Sequence, residues 1–140
     1  MTILKSEAEI FITGASGFIG SHLIASAKNN AIPFIGLSRS KQNSNLTQIK
    51  SYLDLDKYIQ SDQICVHLAG NHNVKSIDTN EVKILKYLSD IYRSRLIYIS
   101  SSNVYGKKYK LPIIETNNIN IDNDYALRKF DCEKIVLNNL

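Results

Sequence analysis

Ile10-Phe11-Ile12-Thr13-Gly14-Ala15-Ser16-Gly17-Phe18-Ile19-Gly20-Ser21-His22-Leu23 sets an apolar strand, a glycine-rich turn and the start of a helix in direct succession. Such a turn can cradle phosphate. Gly14 permits a tight reversal off the strand, Gly17 lets backbone N–H groups approach a pyrophosphate, and Gly20 lets the helix pack close to the sheet. The spacing is G-x-x-G-x-x-G rather than the commoner G-x-G-x-x-G. Glycines also punctuate ordinary strand-to-helix turns, so the stretch carries full weight only in company with other motifs.

Two motifs farther along the chain supply that company. In Tyr125-Ala126-Leu127-Arg128-Lys129 the first and last side chains lie four residues apart, on one face of a helix, and can act on the same atom. In Ile99-Ser100-Ser101-Ser102-Asn103-Val104-Tyr105-Gly106 an apolar run ends in hydroxyls. A strand there delivers the hydroxyls to the carboxyl end of a parallel sheet, where ligands of open α/β folds bind.

Between these motifs strands and helices alternate. Residues 9–13, 33–37, a short piece near 51–53, 63–68 and 95–101 read as strands. The apolar spacing predicts helices over 16–29 and 79–93, and Asp122 or Asp124 is expected to cap a last helix that carries Tyr125 and Lys129. The alternation implies a doubly wound parallel sheet of about five strands in the order 3-2-1-4-5. With 140 residues and 44% hydrophobic content, one core and one domain spanning 1–140 are expected.

The ordered set of motifs resembles the extended short-chain dehydrogenase/reductases, in their nucleotide-sugar epimerase/dehydratase/reductase branch. Its pieces are the glycine turn, Asp54-Leu55 after a third strand, His67-Leu68-Ala69-Gly70 after a fourth, Asn80 opening a helix, the Ser101 segment, and Tyr125 with Lys129. The resemblance implies a Rossmann-like domain binding NAD(P) through Gly14, Ser16, Gly17, Phe18, Ile19, Gly20, Leu68, Ala69 and Gly70. By the same resemblance Asp54 and Leu55 flank the adenine and Asn80 lies near a ribose. Tyr125 becomes the acid/base, Lys129 its electrostatic partner and ribose ligand, and Ser101 the hydroxyl that orients the substrate oxygen, with Ser100 read as a strand-end cap. A free phenol titrates at about 10, so a base at neutral pH needs a cation beside it.

Three departures refine the expectation. Ser102 and Asn103 follow Ser101 where dehydratases of this branch carry an Asp-Glu pair, and water elimination needs both an acid and a base, which disfavours dehydration. Epimerisation or 4-keto reduction of a nucleotide sugar, of the kind used in surface polysaccharide biosynthesis, remains. The acidic residue that would bind the adenosine ribose is missing at the end of the second strand, where Ser38 and Arg39 stand; they can hold a 2′-phosphate, so NADP(H) is expected over NAD(H). Family members also continue past the Tyr-x-x-x-Lys helix, so with Leu140 last the substrate domain is expected to be missing, and a homodimer or a separate chain is expected to supply it. A catalytically incomplete dinucleotide-binding module is the competing reading.

Composition excludes other classes. The net charge of +4 is spread along the chain, and its one concentration, Lys107-Lys108-Tyr109-Lys110, comes without a recognition motif, so no nucleic-acid partner is expected. No apolar run approaches the roughly 18 residues that span a bilayer, and the first strand leaves no room for a signal peptide, so no membrane association and a cytoplasmic location are expected. The two cysteines, Cys65 and Cys132, and the three histidines, His22, His67 and His72, lack metal-ligand spacing; no metal is expected.

Overall fold

The structure is a computed structural model that describes residues 9–40, 46–59, 62–70, 79–107 and 111–138. Its sheet has five strands, β1 (Ile10–Thr13), β2 (Phe34–Ser38), β3 (Thr47–Gln48), β4 (Ile64–His67) and β5 (Leu96–Tyr98). They are all parallel, in the spatial order β3-β2-β1-β4-β5. The strand order therefore reverses at β1, whose residues pair with β2 on one side (Thr13 opposite Leu37) and with β4 on the other (Thr13 opposite His67). Connections leave such a switch point in opposite directions and open a crevice at the carboxyl ends of the strands.

Alternation along β1 sends successive side chains to opposite faces, which is what divides the core. Phe11 joins Leu37, Cys65 and Leu96 beneath helices α2 (Thr79–Tyr92) and α3 (Asp124–Leu137), where Leu85, Leu88, Tyr92 and Cys132 are buried. Ile12 joins Ala15 and Ile24 beneath helix α1 (Phe18–Asn29). Among the described residues no helix is long and apolar enough to cross a membrane.

Several expected boundaries move. The third strand is Thr47–Gln48, not 51–53; it is held by Leu37 opposite Thr47 and by the Ile49 N–H donating to Ser38 O at 2.9 Å. Tyr52–Lys57 is instead a 3₁₀ segment kinked at Asp54 (φ -96°, ψ 22°), and both Tyr52 and Leu55 are buried in the core. The strand expected to run to 101 stops at Tyr98, because Ser101 caps a 3₁₀ helix over Ser102–Tyr105. Asn123, rather than Asp122 or Asp124, caps α3, its side chain accepting from the Ala126 N–H at 2.9 Å. Asp122 accepts instead from Lys107 N–H at 3.2 Å. The remaining basic residues Lys108 and Lys110, together with His72, lie outside the described residues.

Candidate functional site

The glycine turn forms one wall of the crevice. Gly14 has φ +66°, and a Cβ there would lie 2.7 Å from both Ala69 N and Leu68 C, so backbone approaches backbone with no room for a side chain. A Cβ on Gly20 would stand 2.5 Å from Gly14 O, which is how the first turn of α1 closes on the strand end. The α1 N-cap is Gly17, which has no side chain to cap the helix, and no acidic residue occupies the first turn. The N–H groups of that turn therefore face the crevice with the positive end of the helix behind them, the arrangement that receives a phosphate.

Below the turn, Thr13 and His67 tie β1 to β4. Thr13 Oγ1 accepts from the N–H groups of Leu68 (3.2 Å) and Ala69 (3.3 Å) and lies 2.8 Å from His67 Nδ1. With both lone pairs engaged, the threonine hydroxyl donates its one proton to Nδ1, which places the imidazole proton on Nε2. Burial, with the Lys129 cation second, lowers the His67 pKa to about 4, so the ring is neutral. It stacks on Tyr98.

A cavity of about 300 Å³ brings the glycine turn and the hydroxyl-bearing segments together. Gly14, Gly17, Phe18, Ile19 and Gly20 line it from one side, and Leu68 and Ala69 line it from β4. Ser100, Tyr125 and Lys129 line it from the other side. Lys129 Nζ donates to Ile99 O at 3.0 Å and stands 4.8 Å above the Tyr98 ring, so the ammonium is anchored from below and keeps donors for the crevice. Ser100, expected to be a strand-end cap, faces the crevice with its hydroxyl donated to Glu133. Ser101 takes the capping position, accepting from Asn103 N–H at 3.2 Å, which leaves its own proton to donate.

The other end of the crevice differs most from expectation. Two cavities, about 120 and 480 Å³, share Arg39, Tyr52, Ala69 and Gly70; Lys50, Ser51, Asn80, Glu81 and Ile84 complete the smaller, and Gly14, Ser16 and Ser40 border the larger. Because the third strand already ends at Gln48, the segment that leads from it into the crevice is Lys50-Ser51-Tyr52. Asp54 is instead exposed at the kink of the 3₁₀ segment and Leu55 is 1% exposed in the core, and neither lines these two cavities. Ser38 is also corrected. It is 1% exposed, its hydroxyl lies 2.6 Å from Ser16 Oγ and accepts from Ser40 N–H at 3.1 Å, and this hydroxyl knot leaves nothing for a 2′-phosphate. Arg39 is exposed, its guanidinium carbon 5.6 Å from the centre of the Tyr52 ring.

Sequence reasoning missed the buried ion pair Arg128–Glu81, 3.5 Å apart, with side chains 6% and 4% exposed. It links the start of α2, beside Asn80, to the α3 turn that carries Tyr125 and Lys129, and the Arg128 guanidinium also stands 5.6 Å from the Tyr125 ring centre. A Cβ on Gly70 would meet Glu81 Oε1 at 3.3 Å. Nothing in a single sequence couples residues so far apart. Among the described residues no cluster of His, Cys, Asp or Glu could hold a metal ion.

A parallel sheet reversing at β1, with an uncapped glycine turn at the switch point, defines a dinucleotide-binding α/β protein. Residues 10–139 match the NAD dependent epimerase/dehydratase family, and the chain belongs to that family. It is 30% identical over 126 residues to CDP-abequose synthase of Salmonella typhimurium, covering 77% of this chain and 42% of that protein. It is 31% identical over 143 residues to Protein CapI of Staphylococcus aureus, covering 79% and 43%. A mutant of UDP-glucuronic acid 4-epimerase from Bacillus cereus, solved in complex with UDP-4-deoxy-4-fluoro-glucuronic acid and NAD, superposes with a TM-score of 0.75 at 26% identity, covering 93% of this chain and 51% of that one. The chain thus spans about half the length of the relatives it matches.

Proposed function

We propose that residues 1–140 form one NAD(P)-binding unit of an epimerase or 4-keto reductase that acts on a nucleotide-activated sugar in surface polysaccharide synthesis, with NADP(H) preferred. The observation that carries this reading is that Tyr125 and Lys129 line the same 300 Å³ crevice as the uncapped glycine turn. The residues fit a dinucleotide: the turn has no room for a Cβ at Gly14 or Gly20 and directs N–H groups outward. Bound there, a nicotinamide would supply the hydride acceptor or donor.

The remaining steps belong to the chain's own side chains. Tyr125 exchanges a proton with the sugar oxygen, Lys129 holds a positive charge beside that oxygen and a ribose hydroxyl, and Ser101 donates its uncommitted proton to the same oxygen. Ser102 and Asn103 offer no acid and base for dehydration. Arg39 and Lys50, two cations at the far end, support the preference for a 2′-phosphate; the one acid that lines the cavity with them, Glu81, faces the Arg128 guanidinium at 3.5 Å. CDP-abequose synthase and UDP-glucuronic acid 4-epimerase among the relatives support the substrate class.

Incubating the protein with UDP- and CDP-hexoses in the presence of NADP+ or NAD+, and with their 4-keto forms in the presence of NADPH or NADH, tests the reading. Inversion at sugar C4 by proton NMR, or keto-dependent loss of 340 nm absorbance, is expected. Saturable dinucleotide binding without turnover on any of them would support instead a catalytically incomplete dinucleotide-binding module. Absence of dinucleotide binding contradicts both.

A further inference from the structure

Tyr52 sits between the two parts of the site that grip a dinucleotide. Its hydroxyl accepts the Gly14 N–H at 2.9 Å, and its ring carries the Arg39 guanidinium at 5.6 Å. The residue is 8% exposed, fixed in the core by the 3₁₀ helix it opens, and it lines both cavities that Arg39 lines. Gly14 cannot relax away from this contact, since Ala69 and Leu68 backbone atoms close the space on its Cβ side. Arg39 has no carboxylate partner among the described residues; an aromatic face, not an anion, holds it. A guanidinium within cation–π reach of a ring, with no carboxylate beside it, keeps its N–H groups available to an anion.

From these contacts we propose that Tyr52 is a positioning residue for cofactor selection: its hydroxyl sets the first glycine of the phosphate turn, and its ring aims Arg39 at the 2′-phosphate. The proposal rests on the NADP(H) preference and names how the chain enforces it. The two halves of the side chain then have separable effects. Removing the hydroxyl disturbs the turn, which every nicotinamide dinucleotide uses, and weakens NADPH and NADH alike. Removing the ring releases Arg39, which only the 2′-phosphate uses, and erodes selectivity. Burial holds the Tyr52 phenol above its ordinary pKa, so the hydroxyl stays protonated across the range in which binding is measured.

Calorimetric titration of the protein with NADPH and NADH at fixed ionic strength tests this with four variants, each checked for wild-type far-UV circular dichroism. Tyr52→Phe is expected to weaken both dinucleotides by a similar factor, roughly 3- to 10-fold, with their ratio unchanged. Arg39→Ala is expected to reduce the NADPH/NADH preference by about tenfold or more, and Tyr52→Leu to bring the ratio close to that of Arg39→Ala. Arg39→Lys, an exposed change that carries no folding risk, keeps the charge but loses the guanidinium and its contact with the ring; it is expected to lose most of the preference, and this variant decides the point should Tyr52→Leu fail to fold. Wild-type selectivity in Arg39→Lys or in folded Tyr52→Leu, alongside a selectivity loss in Arg39→Ala, overturns the positioning role and leaves the NADP(H) reading intact. An unchanged ratio in Arg39→Ala overturns the NADP(H) reading and the inference together. Unaltered binding of both dinucleotides by Tyr52→Phe overturns the role of the hydroxyl.

Discussion

Acidification should destabilise this protein through one histidine before its carboxylates titrate. His67 is 2% exposed, neutral, and held with its proton on Nε2 by the Thr13 hydroxyl, and its pKa is lowered from 6.5 to about 4. In the unfolded chain the same ring takes a proton below about 6.5. Between those values the unfolded state binds more protons than the folded one, so stability rises with pH across the window. The contribution is complete above about pH 6.5, declines as pH falls, and is gone near pH 4. At about 1.4 kcal/mol per pH unit the whole span is worth on the order of 3 kcal/mol, and the fall from pH 7 to pH 5 about 2 kcal/mol. Such a loss is a large fraction of a typical domain's roughly 5–15 kcal/mol. Urea unfolding followed by circular dichroism at pH 7, 6 and 5, compared with His67→Phe, isolates the contribution, because every other titrating group is shared. The variant should lose about 2 kcal/mol less than the wild type between pH 7 and 5. Parallel pH profiles for the two proteins, or a His67 ring resonance titrating near 6.5 in the folded state, would refute the reasoning.

Other consequences arise from neighbouring contacts. Glu81→Ala strands the buried Arg128 guanidinium and is expected to cost about 3–5 kcal/mol by urea unfolding, whereas Glu81→Ala/Arg128→Met recovers much of it. Gly20→Ala must push Gly14 O away from a Cβ at 2.5 Å, so it should weaken dinucleotide binding by titration calorimetry by at least about tenfold, for NADPH and NADH equally. In an assay mixture competent for turnover, Tyr125→Phe should lower kcat by about 10²- to 10⁴-fold with dinucleotide Kd unchanged, and Lys129→Met should impair both.

The sheet order was legible because β1 and β4 are apolar runs followed by glycines, and α1 and α2 carry their apolar residues at helical spacing. The third strand was not, because Thr47 and Gln48 are exposed and polar and owe their extended form to pairing with Leu37 and Ser38. That one shift is why Asp54-Leu55 were expected at the crevice, where the structure places Lys50-Ser51-Tyr52. Gly14, Gly17, Gly20, Tyr125 and Lys129 were legible because each motif is local, a turn or an i, i+4 pair, and needs no knowledge of distant partners. Ser38 was misread for the opposite reason: its hydroxyl is consumed by Ser16, twenty-two residues away in sequence, and by Ser40. Tyr52 beneath Arg39 and Glu81 against Arg128 were invisible for the same reason, since only the folded sheet and helices bring them together.

On the proposed function, a nicotinamide dinucleotide lies in this crevice along the line from Arg39 through the glycine turn to Lys129. Titrating ¹⁵N-labelled protein with NADPH while following the backbone amides measures it most directly. Saturable shifts are expected at Gly14, Gly17, Phe18 and Ile19, at Arg39 and Tyr52, and at Tyr125 and Lys129, with NADH binding at least about tenfold more weakly and sparing Arg39. Shifts confined to residues outside the crevice, or none at millimolar NADPH, would contradict the account.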